Sequence, residues 1–206
     1  MKYTGPKAKR CRRHGVNLYG SDKYDKILQR KPYGPGKDPR DSQRGKPSEY
    51  SVQLKEKQKA RDMYGLSEKQ FHRYYAMATK VSGQTGDHLK QLLERRLDNL
   101  IYRAGFAQTR FQSRQFVGHG HFLVNGRRVT VPSYLVKPGD VITARARSKA
   151  SPVFGPIIDA HQKYLPPNWM KADAAALKVE VTALPGPEHA EQAVDVRQII
   201  EFYSRT

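Results

Sequence analysis

Hydrophobic and polar positions in the first half of the chain recur with a helical period and predict consecutive helices. Ser48 is an N-cap residue type at the start of the first helix, and Gly65 is a left-handed stop that ends it. Ser67 and Gln70 form a capping box, which predicts a second helix over residues 68–81. Two helices are therefore predicted between residues 48 and 81.

A third helix is predicted from near Asp87, where apolar residues recur at helical spacing. Its expected core positions are Leu89, Leu92, Leu93, Leu97 and Leu100. The last segment, residues 194–203, repeats such a pattern with Asp195 near its start. We expect this C-terminal helix to dock back on an earlier core, which makes the domain that contains it discontinuous in sequence.

The clearest local signal is a short helix followed by a tight hairpin. Thr109 can cap a helix over residues 110–117, with Gln112 reaching back to it. Asn125-Gly126 predicts a two-residue type I′ turn, because both residues accept a positive φ. The resulting register pairs Val124 with Arg127, Leu123 with Arg128, Phe122 with Val129 and His121 with Thr130. It places Phe122, Val124, Val129 and Val131 on one face, and His121, Arg128 and Thr130 on the other.

Further strands are predicted at residues 141–145, 169–171 and 177–182. The fold class is therefore α+β: a mostly helical domain, a small antiparallel-sheet domain that carries the helix and hairpin, and a basic extended N-terminal arm. The predicted boundaries are 1–47 for the arm, 48–97 for the helical domain completed by a C-terminal helix at 188–206, and 98–187 for the α/β domain. Pro152, Gly155 and Pro156 interrupt a potential helix near the end of the module.

Charge points to a polyanionic partner. The 206 residues carry a formal net charge of +19 and a sequence pI of about 10.1. Residues 1–50 and 101–150 are the most basic, Asp140 is the only acidic residue in the latter stretch, and residues 151–206 are net acidic. No run approaches the roughly 18 apolar residues of a membrane-spanning helix, and no signal peptide is evident. A cytoplasmic protein is expected.

The N-terminal segment, residues 1–47, is rich in Gly, Pro, Lys and Arg and is predicted to be largely disordered alone. Its basic cluster can lie along phosphates and become ordered only on its partner: Lys7, Lys9, Arg10, Arg12 and Arg13. A solvated tail or a nuclear-type signal is the alternative. Cys11, the only cysteine, and His14 have a ligand-like spacing, but zinc usually needs four ligands, so we expect no metal and no internal disulfide.

The first helix of the helical domain carries a run of positive charge that predicts a second RNA-contacting face. Its members are Lys55, Lys57, Lys59 and Arg61. The alternative is an ordinary solvated face, although Glu56 and Asp62 offset the run little.

Several motifs of this chain resemble the small RNA-binding module named after ribosomal protein S four (S4). They are Arg96-Leu97-Asp98-Asn99-Leu100, Tyr102-Arg103, Thr109-Arg110, Arg114-Gln115, Val124-Asn125-Gly126 and Pro138-Gly139-Asp140, with the module at about residues 98–161. The similarity to the bacterial S4 family extends over nearly the whole chain. It includes Tyr3, Gly5, Pro6, Lys7, residues 52–59, Tyr64-Gly65, Gln70-Phe71, Tyr74-Tyr75 and Glu201-Phe202-Tyr203-Ser204.

The resemblance implies a structural constituent of the small ribosomal subunit. Members of the family bind 16S rRNA directly and early, nucleate assembly of the 5′ domain, and contact ribosomal protein S five (S5) at an interface tied to translational accuracy. By position, Arg44 and Lys46 would line the mRNA entry channel. Some relatives hold zinc in an N-terminal cysteine cluster, but only Cys11 is present here, so neither zinc nor another cofactor is implied.

Together these considerations predict a set of rRNA-binding residues. They are Lys2, Lys7, Lys9, Arg10, Arg12, Arg13, Lys55, Lys57, Lys59, Arg61, Arg110, Arg114, His119, His121, Arg127 and Arg128. The expected mechanism is recognition of folded RNA by its shape and phosphate charge. The helix and hairpin form one wall, the helical domain forms another, and the arm threads between RNA helices.

Two rival functions are open at the level of sequence. Arg96-Leu97-Asp98 echoes the motif that carries the catalytic aspartate of pseudouridine synthases, but no further domain is evident to form a base-flipping pocket, so no enzyme is expected. The second rival is a regulator that binds messenger RNA or DNA. Duplex DNA is disfavoured, because the helix and hairpin offer no recognisable half-site geometry.

Overall fold

The computed structural model describes residues 3–36, 47–149, 151–161 and 164–205, without the side chains of residues 159–161. The chain forms two compact units, Met1–Gly86 with Glu191–Thr206, and Asp87–Ala190. The helices are α1 (Lys7–His14), α2 (Asp22–Arg30), α3 (Glu49–Met63), α4 (Glu68–Ala78), α5 (Thr85–Glu94), α6 (Leu97–Arg103), α7 (Arg110–Gly118), α8 (Ala146–Lys149), α9 (Gly155–His161) and α10 (Val196–Ser204). The strands are β1 (Phe122–Val124), β2 (Arg127–Arg128), β3 (Val141–Ala144), β4 (Met170–Asp173) and β5 (Lys178–Val181).

The helices α3 and α4 begin at the predicted caps. The backbone N–H of Ser51 donates to Ser48 Oγ at 3.3 Å, and that of Gln70 donates to Ser67 Oγ at 3.4 Å. Gly65 follows the end of α3 and has φ of 63°, the left-handed conformation expected of a glycine at this position. The helix α4 ends at Ala78, three residues before its predicted end.

The C-terminal helix α10 packs on α3, as predicted. Ile199 and Phe202 are its buried residues. Gln53 Nε2 donates to Glu201 Oε2 at 3.0 Å, and the hydroxyl of Tyr203 donates to Glu68 Oε1 at 2.8 Å. The first unit therefore joins segments from both halves of the sequence.

The prediction of an extended, intrinsically disordered arm is wrong for residues 7–30. They form α1 and α2, and α1 contacts both α2 and α3. Cys11, Leu18 and Tyr19 are buried, and Arg10 forms an ion pair with Asp62 of α3. These few apolar residues lack a continuous helical period, but a neighbouring helix supplies the surface that covers them. The predicted arm residues 37–46 lie outside the described residues.

The predicted third helix is divided into α5 and α6. Arg96 has extended dihedrals, with φ of −65° and ψ of 137°. The N–H of Leu97 donates to the Tyr134 carbonyl at 2.8 Å, and the N–H of Val136 donates to the Arg95 carbonyl at 2.9 Å. A strand-like bridge to residues 134–136 thus replaces helical hydrogen bonds at this point.

The second unit contains a five-stranded antiparallel sheet with strand order β2-β1-β3-β5-β4. At the turn, Asn125 and Gly126 have φ of 49° and 78°, and the predicted pairs Leu123 with Arg128 and Val124 with Arg127 are confirmed. Because β2 ends at Arg128, the two outer predicted pairs do not form. Val131, predicted on the buried face, is 54% exposed for the same reason.

The core of the second unit lies between the sheet and its helices. Its members include Leu97, Leu100, Ile101, Phe106, Phe116, Phe122, Ile142, Phe154, Trp169 and Val179. The segment that contains Pro152 and Pro156 holds the two short helices α8 and α9. Phe122 and Val124 are buried in this core and anchor the hairpin on it.

Candidate nucleic-acid interface

The helix α7 presents Arg110 and Arg114 one turn apart on the same face. Its start follows the predicted cap, since the N–H of Gln112 donates to Thr109 Oγ1 at 3.2 Å. The Gln112 side chain differs from the prediction: it accepts from the N–H of Gln108 at 2.8 Å, one residue before Thr109. Both hydrogen bonds satisfy free N–H groups at the helix entry.

A buried carboxylate fixes Arg114 in place. Asp98 Oδ2 lies 2.6 Å from Arg96 Nη2 and 3.3 Å from Arg114 Nη1, and Asp98 Oδ1 accepts from the N–H of Asn99 at 2.9 Å. The Arg96 side chain is 1% exposed, whereas that of Arg114 is 28% exposed. One carboxylate therefore neutralises the inner guanidinium and orients the outer one, whose other N–H groups stay available.

Arg110 is held from the same side. Its Nε donates to Asn99 Oδ1 at 2.8 Å, and its guanidinium carbon lies 4.5 Å from the centre of the Tyr102 ring. Asn99 Nδ2 donates in turn to Glu94 Oε2 at 2.7 Å, and Arg103 forms an ion pair with that fully buried carboxylate at 3.0 Å. The residues of α6 thus set the direction of both α7 arginines.

Glu94 and Asn99 were not predicted from the sequence to support the arginines. Glu94 and Asp98 lie just before the acid-poor stretch 101–150, so a count over that stretch does not include them. Their sequence signal was that the acidic residues Glu94 and Asp98 lie among the leucines close to Arg95, Arg96 and Arg103. Only the break between α5 and α6 brings both carboxyl groups beneath α7.

The hairpin adds two exposed arginines, Arg127 and Arg128. The Arg128 Nη2 donates to the carbonyl of His119 at 3.2 Å, which ties the hairpin to the end of α7. Gly120 has φ of 69° and lies directly beneath the Arg128 guanidinium, so a Cβ at this position would collide with it. The arginines of helix and hairpin therefore belong to one connected surface.

The two predicted histidines differ in environment. His119 is exposed, and His121 is partly buried with Nδ1 at 2.9 Å from Ser148 Oγ. Burial lowers the pKa of His121 below its usual value, and electrostatic repulsion from His119 and Arg145 adds to that effect. His121 is therefore neutral near pH 7 and contributes hydrogen bonding rather than charge.

Asp140, the only acidic residue between 101 and 150, is occupied by hydrogen bonds to two turns. It accepts from Asn125 Nδ2 at 2.8 Å and from the N–H of Lys137 at 2.8 Å, and it is buried. The carboxylate thus braces the turn that starts β2 and the turn that precedes β3. It leaves the arginines of the helix and hairpin without an exposed acidic neighbour among the described residues 101–149.

In the first unit, Lys57, which the sequence predicts to contact RNA, is enclosed by contacts within the fold. Its side chain is 9% exposed, its Nζ lies 2.8 Å from Glu68 Oε1 and 4.3 Å from the centre of the Phe202 ring. Burial by itself raises the pKa of Glu68, but hydrogen bonds from Lys57 and Tyr203 and the charges of Lys57 and Arg61 lower it below its usual value. Lys57 therefore holds α3, α4 and α10 together.

The four basic residues of α3 do not share a face, because residues two apart in a helix point in nearly opposite directions. Lys59 forms an ion pair with Glu56 at 2.7 Å and Arg61 forms one with Glu68 at 3.2 Å. Lys55 is exposed. Among the described residues, Lys55 is thus the member of this run that presents an uncompensated ammonium group.

The N-terminal cluster is also divided. Arg10 pairs with Asp62 and lies 3.4 Å from the centre of the Tyr3 ring, and Arg12 donates to the carbonyls of Tyr33 and Gly34 at 3.1 and 3.2 Å. Lys7 is partly buried, with Nζ 5.5 Å from the Tyr19 ring. The cluster members that α1 exposes are Lys9 and Arg13, one turn apart.

Three predicted residues, Lys2, Arg44 and Lys46, lie outside the described residues. Cys11 is buried and unpaired to another cysteine, and burial raises the pKa of its thiol. His14 Nε2 lies 3.6 Å from Asp62. Over the described ranges, no three His, Cys, Asp or Glu side chains converge as metal ligands would, and no helix has the length and apolar character needed to cross a membrane.

Comparisons with known proteins cover both units. Residues 2–94 match the family model of the Ribosomal protein S4/S9 N-terminal domain, and residues 95–142 match that of the S4 domain. Small ribosomal subunit protein uS4 of Pelotomaculum thermopropionicum is 46% identical over 208 residues, which cover 99% of each chain. The proteins of the same name from a Nocardioides species and Cutibacterium acnes are each 47% identical over 99% of this chain.

The two family models adjoin near the break between α5 and α6, and the second includes α6, α7, the hairpin and the start of β3. Apart from Glu94, the residues that hold and present the arginines therefore lie within the matched S4 domain. Identity near half over full length also exceeds what a shared fold alone would give. The chain belongs to the uS4 family of small ribosomal subunit proteins.

Proposed function

We propose that this chain is a structural constituent of the small ribosomal subunit that binds 16S rRNA directly. The observation that carries the proposal is the oriented set of arginines on α7 and the hairpin, from which the acidic residues are turned inward. Full-length relatives are named as small ribosomal subunit proteins. A polyanion is the partner that such a surface and a net charge of +19 both favour.

The mechanism is recognition of RNA shape through phosphate contacts. Arg110 and Arg114 are held by Asn99 and Asp98 before RNA arrives, so little side-chain freedom is lost on binding. Guanidinium groups at fixed positions match phosphates whose spacing is set by RNA folding. The surface therefore favours a folded junction over a flexible strand of the same charge.

We further propose the finer roles that the family resemblance implies. In these roles the protein binds 16S rRNA early, nucleates assembly of the 5′ domain, and supports translational accuracy together with S5. Arg44 and Lys46 would contact mRNA at the entry channel. These roles rest on family membership and on the sequence positions.

The central experiment is protection mapping of 16S rRNA with the purified full-length chain, combined with binding at several salt concentrations. Arg114→Ala with Arg128→Ala should flatten the salt dependence of binding, by up to about one unit of logarithmic slope per lost phosphate contact. Lys171→Ala, an exposed lysine on β4 far along the sheet order from β2, is the matched control and should leave the slope unchanged. An unaltered slope in the arginine double variant would place the RNA surface elsewhere.

Of the two rival functions, the enzyme is disfavoured by the surroundings of one residue, and the messenger regulator is tested by binding. Asp98, the residue of the pseudouridine synthase reading, is buried and accepts hydrogen bonds from two guanidinium groups and a backbone N–H, which leaves no room for a base. The enzyme hypothesis would be supported if the wild-type chain released tritium from labelled uridine and Asp98→Asn abolished that release. For the messenger regulator, binding of operon mRNA at the affinity measured for 16S rRNA would add a repressor role.

A further inference from the structure

A cavity of about 310 Å³ lies between α1 and α2 in the first unit. Its apolar wall consists of Pro6, Ala8 and Ile27. The helix α1 also contacts α3, where Arg10 forms an ion pair with Asp62, while α2 has no buried residue of its own. The volume is at the low end of the range typical of small-molecule sites.

The rest of the lining is cationic: Lys9, Arg12, Arg30 and Lys31. No acidic residue lines the cavity, and within the described residues no carboxylate pairs with Lys9, Arg30 or Lys31. Arg12 is already immobilised by the carbonyls of Tyr33 and Gly34. The cavity therefore combines an apolar wall with a positively charged rim, in which Arg12 is held in place.

This combination selects the chemistry of the occupant. A free phosphate would use the rim and leave the apolar wall uncovered, and an apolar molecule would leave the cations without counter-charge. A flat, weakly polar ring joined to phosphate satisfies both parts. Unpaired nucleotides have this chemistry, and proteins bind them by packing bases on apolar or guanidinium surfaces while cations follow the backbone.

We propose that the cavity receives the base of one unpaired nucleotide of the bound RNA, with its flanking phosphates on Lys9, Arg30 and Lys31. The inference rests on the proposed function, since it assigns a base-binding site to the same RNA-binding protein. The α7 arginines and the hairpin contact phosphates, whereas this cavity gives the first unit a local preference for an unpaired position. The first unit would then contribute more than charge to recognition.

The test fills the cavity without changing charge. Ala8→Phe places a ring on the apolar wall, and single-nucleotide chemical probing of 16S rRNA bound to the full-length variant should show one base newly reactive within an otherwise intact footprint. Affinity should fall about fivefold or more, because stacking of one base is lost, and the salt dependence should stay the same. Ala76→Phe, a partly exposed alanine on α4 outside the cavity, should change neither readout.

Thermal denaturation shows whether Ala8→Phe is folded. If it is not, a second variant tests the same cavity. Arg30→Glu reverses one rim charge without filling the cavity and should expose the same base. Lys26→Ala, an exposed cation of α2 that does not line the cavity, should leave that base protected. Agreement between the two cavity variants at one nucleotide supports the proposal.

The outcomes separate the two claims. A wild-type footprint that Ala8→Phe and Arg30→Glu leave unchanged overturns the nucleotide site and leaves the proposed function standing. No wild-type footprint on 16S rRNA defeats the proposed function itself. Saturable micromolar binding of a free nucleoside 5′-monophosphate that Ala8→Phe abolishes would assign the cavity to a free nucleotide and also overturn the RNA assignment.

Discussion

Both units carry a net positive charge in sequence, but they use it differently. In the first unit acidic side chains lie beside the cations. Arg10, Lys57 and Lys59 therefore form ion pairs within the fold. In the second unit Glu94 and Asp98 lie beneath the arginines of α7. The position of the carboxylates decides whether a cation stabilises the fold or faces a ligand.

Arginine makes the second arrangement possible. A guanidinium has five N–H donors, so Arg114 can give one to Asp98 and keep others for phosphate. The ammonium of Lys57 is a point charge that is enclosed by Glu68 and Phe202. A basic sequence run is therefore weak evidence for a nucleic-acid surface until the local carboxylates are located.

The largest effect is expected when the carboxylate beneath α7 is removed. Asp98→Ala removes the carboxylate that pairs with fully buried Arg96, which should destabilise the second unit by about 3–5 kcal/mol. Urea denaturation followed by circular dichroism measures this change. Glu180→Ala, which removes only a surface pair with Lys178, is the control and should have little effect. Equal stability of the two variants would contradict the supporting role of Asp98.

The next largest effects distinguish a buried lysine from an exposed lysine on α3. Lys57→Met keeps the aliphatic stem but removes the ammonium, so it should destabilise the first unit by about 1 kcal/mol and leave RNA affinity unchanged. Lys55→Ala should do the reverse and reduce the salt slope of binding by up to about one unit. If Lys57→Met weakened RNA binding more than Lys55→Ala, Lys57 rather than Lys55 would be the RNA-binding lysine of α3.

A smaller effect should follow from the ionisation of Glu68. Its pKa is lowered in the folded state, so the carboxylate stabilises the fold fully above its ordinary pKa of about 4.3, and this contribution is lost as the pH falls through the lowered value. Glu68→Gln should therefore reduce stability at pH 7 and converge on the wild type toward pH 3. Denaturant titrations at both pH values test this, and a constant difference would exclude the linkage.

The smallest effect is expected at His121, which is neutral near pH 7 because its pKa is lowered. His121→Gln should preserve a hydrogen-bonding side chain and leave the salt slope of RNA binding at pH 7.5 unchanged, whereas Arg128→Ala should reduce it. Binding measured at several salt concentrations provides the comparison. A slope reduced equally by both variants would show that His121 is charged when RNA is bound.

Local signals predicted the parts of this molecule that depend on few neighbours. The caps at Ser48, Ser67 and Thr109 start their helices as predicted, and Asn125-Gly126 sets the central hairpin register. Each depends on backbone hydrogen bonds or dihedral preferences within a few residues. The resemblance to the S4 family was carried by the same kind of local motif.

Errors arose where distant residues compete with local preference. The leucine pattern favoured one long helix, but pairing of Arg95 and Leu97 with residues 134–136 divides it. The N-terminal segment lacked a helical period, but contact with α3 stabilises α1. In both places a partner remote in sequence supplies hydrogen bonds or buried surface that no window of local sequence contains.

The amino-acid sequence by itself determined the helix starts, the hairpin turn, the α+β class and the excess of positive charge. The tertiary structure alone decided which of those charges are presented, because a cation is neutralised by whichever carboxylate folding brings within a few ångströms. Asp98 lies 16 residues before Arg114 and Glu68 lies 11 residues after Lys57, yet each carboxylate sets the role of its cation. Electrostatic attraction depends on distance in space, and only the packed fold fixes that distance.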